Sequence, residues 1–333
     1  MRTLIIAEAG VNHNGDLKMA KKLITEAKKA GADIVKFQSF KANELVTKVA
    51  AKADYQKRYT SENESQFQML QKLELSDSDH RELYLECKKQ GIEFLSTPFG
   101  NQSFDILRDL GIQRVKLSSG DLTNLPFIEY VAQHKLPIIL STGMANIGEI
   151  EAALEVIQKA GTPKKLITVL HCSTEYPTPM HEVNLRAMEN IKKTFSVNIG
   201  YSDHTEGIEI PIASVALGAT IIEKHFTLDR NLAGPDHKAS LEPNKLSEMI
   251  KAIRRIELAL GDGIKRPTTS EIKNIAIARK SIVAIKNIKK GDKFSSKNIG
   301  VKRPGTGISP HRWNEILGRA ARQDFKIDDL IEI

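Results

Sequence analysis

One pattern, repeated over about the first 260 residues, limits the folds open to this chain more than any other feature. It is a short run of apolar, often β-branched residues, followed by a loop and a stretch with helical spacing. In the first unit, LIIAE (4–8) predicts a strand, and apolar residues every three or four positions from Leu17 to Ala30 predict a helix. Further runs predict strands at 33–37, 92–96, 114–118, 137–141, 166–171, 197–202 and 220–225.

Eight strand–helix units in about 260 residues match a (β/α)8 TIM barrel. Glycines such as Gly31 and Gly91 stand just before predicted strands, where the preceding helix needs a C-cap. The main alternative is a doubly wound sheet, which carries a glycine-rich phosphate loop after its first strand. The first loop here, GVNHNG (10–15), fits neither G-x-G-x-x-G nor a P-loop. We therefore predict an α/β fold built on a TIM barrel.

The character of the sequence changes after Gly261. A basic, polar stretch leads into short β-branched runs separated by turns, such as KKGD (289–292) and RPG (303–305). We predict a barrel over 1–262, a linker over 263–280 and a small β-rich domain over 281–333. A module of about 50 residues buries only a modest core, so we expect it to dock against another surface.

The composition is mildly basic, with 49 Lys and Arg against 41 Asp and Glu in 333 residues, a formal net charge of +8. The basic residues are spread in doublets, so we expect no nucleic-acid partner, and a small anionic substrate fits equally well. Two cysteines cannot form a disulfide framework, which favours a cytoplasmic protein. No apolar run reaches the roughly 18–20 residues of a membrane span, so we expect no membrane partner.

Polar residues end all eight predicted strands, at the edge where a TIM barrel places its active site. They include Glu8, Lys36, Gln38, Ser96–Thr97, Lys116, Ser118–Gly120, Ser141–Gly143, His171, Ser202–His204, Glu223 and His225. Two lysines among Ser, Thr and Gly turns favour a cradle for a phosphate or carboxylate. Two alternatives remain: the lysines fill the barrel and pair with Glu8 or Glu223, or one of them forms a Schiff base.

His204 and His225 end neighbouring strands, so we expect their imidazoles to meet over the barrel mouth. Two histidines with carboxylates nearby suit a divalent cation of borderline hardness, such as Mn²⁺, Co²⁺ or Zn²⁺. Glu223 lies two residues before His225 and is expected to share its face. Two ordinary core histidines would explain the same pattern.

These residues fall in motifs that resemble those of the sialic acid synthase family, which includes N-acetylneuraminate and N,N'-diacetyllegionaminate synthases. The motifs are AEAGVNHNG (7–15), VKFQ (35–38), STPF (96–99), KLSSGD (116–121), LSTGM (140–144), HCSTEYPTP (171–179), GYSDHT (200–205), EKHFT (223–227) and GPDHKAS (234–240). The C-terminal segments look like the antifreeze-like (SAF) domain of these enzymes, through SIVA (281–284), KKGD (289–292), VKRPGTGIS (301–309) and LGR (317–319). The resemblance covers essentially the whole chain.

The resemblance implies a metal-dependent condensation of phosphoenolpyruvate with an open-chain N-acetylated hexose, N-acetylmannosamine, and water. The products would be N-acetylneuraminate and phosphate, released by C–O cleavage. His204 and His225 would hold the metal, Mn²⁺, with Co²⁺ or Mg²⁺ as alternatives, and Glu8, Lys116 and Asp236 would be catalytic. Residues implied to bind phosphoenolpyruvate are Lys36, Thr97, Lys116, Ser119, Ser141, Thr174 and Ser202. Residues implied to bind the sugar are Gln38, Asp121, Tyr176, Asp236 and Arg303.

The resemblance also implies a domain-swapped homodimer, in which Arg303 of the SAF domain reaches the sugar bound by the other subunit's barrel. Two positions depart from part of the family, which carries Glu in place of Asp121 and Asn in place of Thr174. The identity of the sugar substrate stays undecided at this point. With 2,4-diacetamido-2,4,6-trideoxymannose as substrate, the chain would be an N,N'-diacetyllegionaminate synthase instead. From other classes, the alternatives are a Schiff-base aldolase and a non-catalytic basic carbohydrate-binding protein.

Overall fold

The structure, a computed structural model, describes residues 2–60 and 64–333. The chain divides into two compact units, Met1–Gly261 and Asp262–Ile333. The strands of the first unit are β1 (Leu4–Gly10), β2 (Ile34–Ser39), β3 (Glu93–Pro98), β4 (Val115–Leu117), β5 (Ile138–Ser141), β6 (Ile167–His171), β7 (Asn198–Asp203) and β8 (Ile221–His225). Each overlaps a strand that the sequence predicts.

The helices of the first unit begin and end where local chemistry requires it. At the first helix, the Asp16 side chain accepts a hydrogen bond from the backbone N–H of Lys18, and Gly31 ends the helix with a φ of 95°. The helices are α1 (Leu17–Ala30), α2 (Ala42–Leu45), α3 (Asp54–Tyr59), α4 (Gln66–Leu73), α5 (Asp77–Gln90), α6 (Asn101–Leu110), α7 (Leu125–Ala132), α8 (Ile147–Lys159), α9 (Arg186–Phe195), α10 (Glu209–Ala216) and α11 (Pro243–Leu260).

The eight strands form one parallel sheet in the order β3-β2-β1-β8-β7-β6-β5-β4. β3 and β4, at the two ends of this order, lie in contact. Glu93 at the start of β3 pairs with Arg114, just before β4, at 2.7 Å. The sheet therefore closes on itself, and the predicted TIM barrel is confirmed.

Side-chain alternation along the strands gives the barrel interior two layers. Glu8 lies two residues after Ile6 and shares its face, and Lys36 relates to Ile34 in the same way. A buried apolar floor thus supports a polar layer at the carboxyl ends of the strands. The floor consists of Ile6, Ile34, Leu95, Ile139, Leu170 and Ile221.

On β7 the floor has room only for glycine. A Cβ added at Gly200 would lie 2.5 Å from Cδ2 of Leu170 and 2.4 Å from the carbonyl oxygen of Ile221. Ser202, two residues further along the strand, then joins the polar layer.

A long insertion between β2 and β3 contains α2, α3 and α4. Its apolar residues do not join the main core but form a separate buried cluster, with Met69 and Leu73 of α4 packed against Val11 and Phe40. This cluster belongs to the carboxyl-end side of the barrel, because Val11 follows β1 and Phe40 follows β2.

The second unit contains α12 (Thr269–Ala278), β9 (Ser281–Ala284), β10 (Ile299–Lys302) and α13 (Trp313–Ile316). β9 and β10 pair antiparallel, and a small apolar core that includes Ile282, Phe294 and Phe325 holds this unit together. The segment 263–280, expected as a linker, carries α12. Within the described residues, no helix is both long and apolar enough to cross a bilayer.

Candidate active site

A cavity of about 370 Å³ opens above the polar layer of the barrel. This volume suits small-molecule substrates. The sequence-predicted site residues that line it are Glu8, Lys36, Gln38, Thr97, Lys116, Ser119, Ser141, Thr174, Tyr176, Ser202, His204, His225 and Asp236. The structure therefore brings together groups that come from all eight strands or the loops after them.

Two sequence-predicted residues lie elsewhere. Asp121 is in a turn after β4, where its backbone N–H and its carboxylate both bond the Ser118 hydroxyl, and it is absent from the described cavity lining. Arg303 is in the second unit, where its Nε donates to the carbonyl oxygen of Ala278 at 3.1 Å.

Four buried charged groups form the base of the cavity. Nζ of Lys36 lies 2.8 Å from Oε2 of Glu8 and 3.7 Å from Oε2 of Glu223. Nζ of Lys116 lies 3.5 Å from Oε1 of Glu223, and the same oxygen accepts a hydrogen bond from Ser202 at 2.9 Å. Glu223 thus bridges the two lysines. The lysines thus pair with these carboxylates, as in one of the sequence alternatives, and both lysines also line the cavity.

The two buried carboxyl groups, Glu8 and Glu223, have very different pKa values. Burial raises the pKa of Glu8 to about 7, although the charge of Lys36 opposes this shift. Burial acts on Glu223 as well, but the charges of Lys116 and Lys36 outweigh it and lower the pKa of Glu223 to about 2. Near neutral pH, Glu223 is therefore the permanent counterion and Glu8 is the group that can gain or lose a proton.

His204 and His225 meet over this network, with ring centroids 5.3 Å apart. The Tyr176 ring packs on both, at 4.1 Å from the His204 centroid and 5.6 Å from that of His225. Burial lowers the pKa of His204 to about 4 and that of His225 well below its ordinary value. Both imidazoles are therefore neutral at physiological pH, as a metal ligand must be.

The hydrogen bonding of His204 and His225 leaves ring nitrogens available to bind a metal ion. Nδ1 of His204 lies 2.5 Å from the carbonyl oxygen of Ser173, which only accepts, so Nδ1 carries the proton and Nε2 keeps its lone pair. Nδ1 of His225 is buried and has no hydrogen-bond partner. Among the described residues, no group of three or more His, Cys, Asp or Glu is arranged around one point as a complete metal cage. A cation here would therefore need further ligands from water or substrate.

Asp236 completes the charged groups of this edge. Its Oδ2 lies 4.0 Å from Nδ1 of His225, and burial raises the pKa of Asp236 to about 6. A carboxyl group with this pKa still carries a proton in part of the population near neutrality, as a general acid requires.

The opposite edge of the cavity supplies neutral donors. The Ser119 hydroxyl accepts from the backbone N–H of Gly143 at 2.9 Å, and the Ser141 hydroxyl is buried without a partner. A Cβ at Gly143 would lie 2.1 Å from Oγ1 of Thr174, so glycine is needed for this close approach. A buried hydroxyl without a partner, as at Ser141, suits an oxygen of an anion.

Sequence reasoning missed one side of the cavity, which is mainly apolar. Its apolar residues are Val11, Leu45, Val46, Met69, Leu70, Leu73 and Phe99, most of them from the β2–β3 insertion, which also contributes Gln56 and Gln66 to the lining. The apolar spacing of Met69, Leu70 and Leu73 predicts a helix face there, but no local signal distinguishes a face that covers a core from one that lines a cavity.

Comparison with known proteins agrees with this geometry. The NeuB family model matches residues 23–265, and the SAF domain model matches residues 279–332. The chain belongs to the NeuB family. The predicted resemblance to sialic acid synthases with a C-terminal SAF domain is confirmed.

Several relatives of this NeuB family member are named as synthases. The chain is 57% identical to the N,N'-diacetyllegionaminic acid synthase of Campylobacter jejuni over 330 residues, which is 99% of each chain. It is 44% identical to the N,N'-diacetyllegionaminic acid synthase of Legionella pneumophila, covering 96% of this chain and 90% of that one. A crystal structure of N-acetylneuraminic acid synthetase from Leptospira borgpetersenii, in complex with citrate, has a TM-score of 0.73 at 36% identity, covering 83% of this chain and 90% of that one. The predicted class, a sialic acid synthase-type condensing enzyme, is confirmed.

Proposed function

We propose that this chain is an N,N'-diacetyllegionaminate synthase, which condenses phosphoenolpyruvate with 2,4-diacetamido-2,4,6-trideoxymannose and water. The two relatives at 57% and 44% identity carry that name, which favours this sugar over N-acetylmannosamine within the same enzyme class. The observation that carries the proposal is the buried pair of lysines, bridged by Glu223, beneath two neutral histidines.

The lysine side of the cavity suits phosphoenolpyruvate. Lys36 and Lys116 would hold its phosphate and carboxylate, since buried ammonium groups bind anions strongly where water does not compete. Glu223 neutralises only part of their charge, and Glu8 is neutral in much of the population near pH 7. Neutral groups would complete the anion site: the hydroxyl groups of Thr97, Ser119, Ser141 and Thr174, with Ser202 beside them donating its hydroxyl hydrogen to Glu223.

The histidine side suits the sugar aldehyde. His204 and His225 would hold a divalent cation, for which we propose Mn²⁺, with Co²⁺ or Mg²⁺ as alternatives. When bound, such a cation supplies Lewis-acid polarisation of a carbonyl oxygen. Gln38 and Tyr176 line the same part of the cavity and would orient the sugar. Asp121 lies in the turn after β4, outside the described cavity lining, and we propose that it contributes to sugar binding from there.

Two proton transfers follow from the two carboxyl groups. Carbon 3 of phosphoenolpyruvate attacks carbon 1 of the sugar, and Asp236 donates a proton to the oxygen that was the aldehyde. Water then adds to carbon 2, and Glu8 takes up the proton it releases. The bond between carbon 2 and the phosphoryl oxygen then breaks, and the hydroxyl group on carbon 2 gives its proton to the departing phosphate, which yields the keto acid and phosphate.

The test is phosphate release from phosphoenolpyruvate with Mn²⁺, using the diacetamido sugar, N-acetylmannosamine or no sugar, each with and without chelator. We expect release that depends on sugar and is abolished by chelator, fastest with the diacetamido sugar. Borohydride with pyruvate should trap nothing on Lys36 or Lys116. Absence of release from folded, metal-loaded protein with either sugar would contradict the proposal, and borohydride trapping would favour the aldolase instead.

We also propose the domain-swapped homodimer, with Arg303 acting in the other subunit's site. Three isoleucines on and just before α12 are exposed: Ile264, Ile272 and Ile277. Exposed apolar side chains of this kind favour burial against a second subunit, which supports the proposed homodimer.

Subunit mixing tests the swap. Lys36→Met removes the function of the barrel's anion site, and Arg303→Ala removes the function of the SAF domain in the site. Each variant alone should therefore be nearly inactive. In a swapped heterodimer, one of the two sites combines an intact barrel with an intact SAF domain. Refolding an equal mixture should therefore restore about a quarter of wild-type activity. Mixtures that stay inactive despite forming heterodimers would exclude the swap.

A further inference from the structure

One side of the active-site cavity is lined mainly by apolar side chains, although the β2–β3 insertion also contributes the amides of Gln56 and Gln66 to the lining. We call this side the apolar wall, defined by Val11, Leu45, Val46, Met69, Leu70, Leu73 and Phe99. Its members come from three loops at the carboxyl ends of β1, β2 and β3.

The apolar wall is a built surface. Met69 is buried, and with Leu73 and Phe40 it forms the separate cluster that fixes α4 over the barrel. The Phe99 ring meets the Phe40 ring edge-on at 6.2 Å. Leu45 and Leu70 are only partly buried, pack against that cluster and line the cavity. Apolar side chains are thus held at the cavity surface by packing behind them.

The apolar wall lies next to the polar groups that would hold the reacting atoms. A Cβ built at Gly10 would lie 3.2 Å from Oε1 of Glu8, 3.4 Å from Nε2 of Gln38 and 3.6 Å from Cε1 of His225, so these groups converge there. Val11 is the next residue. On β3, Thr97 accepts a hydrogen bond from Lys36 at 2.9 Å, and Phe99 follows two residues later. A sugar with carbon 1 among the polar groups therefore has apolar surface beside its remaining carbons.

The two candidate sugars differ in that remaining part. The diacetamido sugar presents a methyl group at carbon 6 and an acetamido methyl at carbon 4, where N-acetylmannosamine has hydroxyl groups. Methyl groups gain free energy by leaving water for an apolar surface. Hydroxyl groups lose it unless a hydrogen-bond partner replaces water.

We propose that the apolar wall binds the carbon 6 methyl and the carbon 4 acetamido methyl, and so selects the diacetamido trideoxy sugar over N-acetylmannosamine. This rests on the proposed function and assigns its sugar preference to the β2–β3 insertion. Single methyl-sized differences in an apolar pocket change kcat/KM by about 10- to 200-fold. The two methyl sites together are enough for a clear preference.

Nearly isosteric polar substitutions test the apolar wall. Leu70→Asn and Val46→Thr add a polar group with little change in volume, at side chains that are not fully buried. Val49→Thr is the matched control, because Val49 is three residues from Val46 but 90% exposed. For each variant, kcat/KM is measured with both sugars at saturating phosphoenolpyruvate, together with KM for phosphoenolpyruvate.

We expect Leu70→Asn to lower the ratio of kcat/KM values, diacetamido sugar over N-acetylmannosamine, by about tenfold or more, and Val46→Thr to lower it several-fold. Val49→Thr should leave the ratio unchanged, and KM for phosphoenolpyruvate should change little in all three. If Leu70→Asn fails to fold, Val46→Thr carries the test alone.

An unchanged ratio in folded, active Val46→Thr and Leu70→Asn variants would overturn the role of the apolar wall and leave the proposed function standing. A wild-type enzyme that prefers N-acetylmannosamine would overturn it too, while the synthase chemistry stands. Wild-type protein that turns over neither sugar would instead contradict the proposed function itself.

Discussion

Lys36→Met is expected to lower kcat/KM for phosphoenolpyruvate by about three orders of magnitude, the loss typical of one preorganised group that stabilises developing charge. Nζ of Lys36 lies within 3.7 Å of Glu8, Glu223 and Thr97. Burial would lower the pKa of Lys36, but the charges of Glu223 and Glu8 raise it, so the ammonium persists at neutral pH. Methionine has a similar length and leaves both carboxylates facing the substrate anion without this cation.

The measurement is steady-state phosphate release at varied phosphoenolpyruvate, with circular dichroism to confirm folding. Lys41→Met is the control, since Lys41 follows the same strand but is partly exposed and pairs at 3.4 Å with Asp77, outside the cavity. It should behave like wild type. A folded Lys36→Met variant with kcat/KM within about threefold of wild type would remove Lys36 from the anion site.

The sequence predicts the polar residues of this site well because the period-two alternation of a strand is a strictly local property. Lys36 and Gln38 had to share a face, and so did Glu223 and His225. Once eight strands close into a barrel, every residue at a carboxyl end that faces inward must meet its counterparts. The bridge from Glu223 to both lysines is not local, because it depends on which strands are neighbours and on side-chain conformation.

Alternation also separates residues that look alike in sequence. Asp203 stands between Ser202 and His204 in a run of polar residues, yet it faces away from the barrel interior. There it forms a fully buried pair with Lys224 at 2.5 Å, so it is structural. The apolar wall is the opposite case, because its side chains look like core residues. Only the position of the insertion over the barrel mouth turns them toward the cavity.

Glu223→Gln is expected to cost about 3–5 kcal/mol of folding free energy, because it leaves buried charge without its counterion. Glu223 lies 3.7 Å from Nζ of Lys36 and 3.5 Å from Nζ of Lys116, and only Glu8 would remain to neutralise both. The glutamine amide is nearly isosteric, so the change removes charge rather than volume. Urea unfolding of metal-free protein at pH 7 measures the difference.

The pH dependence gives this prediction a second readout. The pKa of Glu223 falls from an ordinary 4.5 to about 2 in the folded protein. The unfolded state therefore binds more protons between these values, and the stabilisation by the Glu223 carboxylate is complete above pH 4.5 and lost as the pH falls toward 2. The stability difference between wild type and Glu223→Gln should be largest at neutral pH and shrink below pH 4.5.

Two further variants separate the charge effect from simple loss of a hydrogen bond. Glu82→Gln breaks a surface pair with Lys21, whose atoms lie 2.6 Å apart, and should leave the free energy of unfolding nearly unchanged. Adding Lys116→Met to Glu223→Gln removes the charge that lost its counterion, so the double variant should be more stable than Glu223→Gln alone. A double variant whose two losses simply add would show that Glu223 and Lys116 are not energetically coupled, which would contradict the counterion role of Glu223. The same coupling bears on how both lysines can stay buried until an anionic substrate arrives, since burial lowers the pKa of Lys116 and the charge of Glu223 opposes that shift.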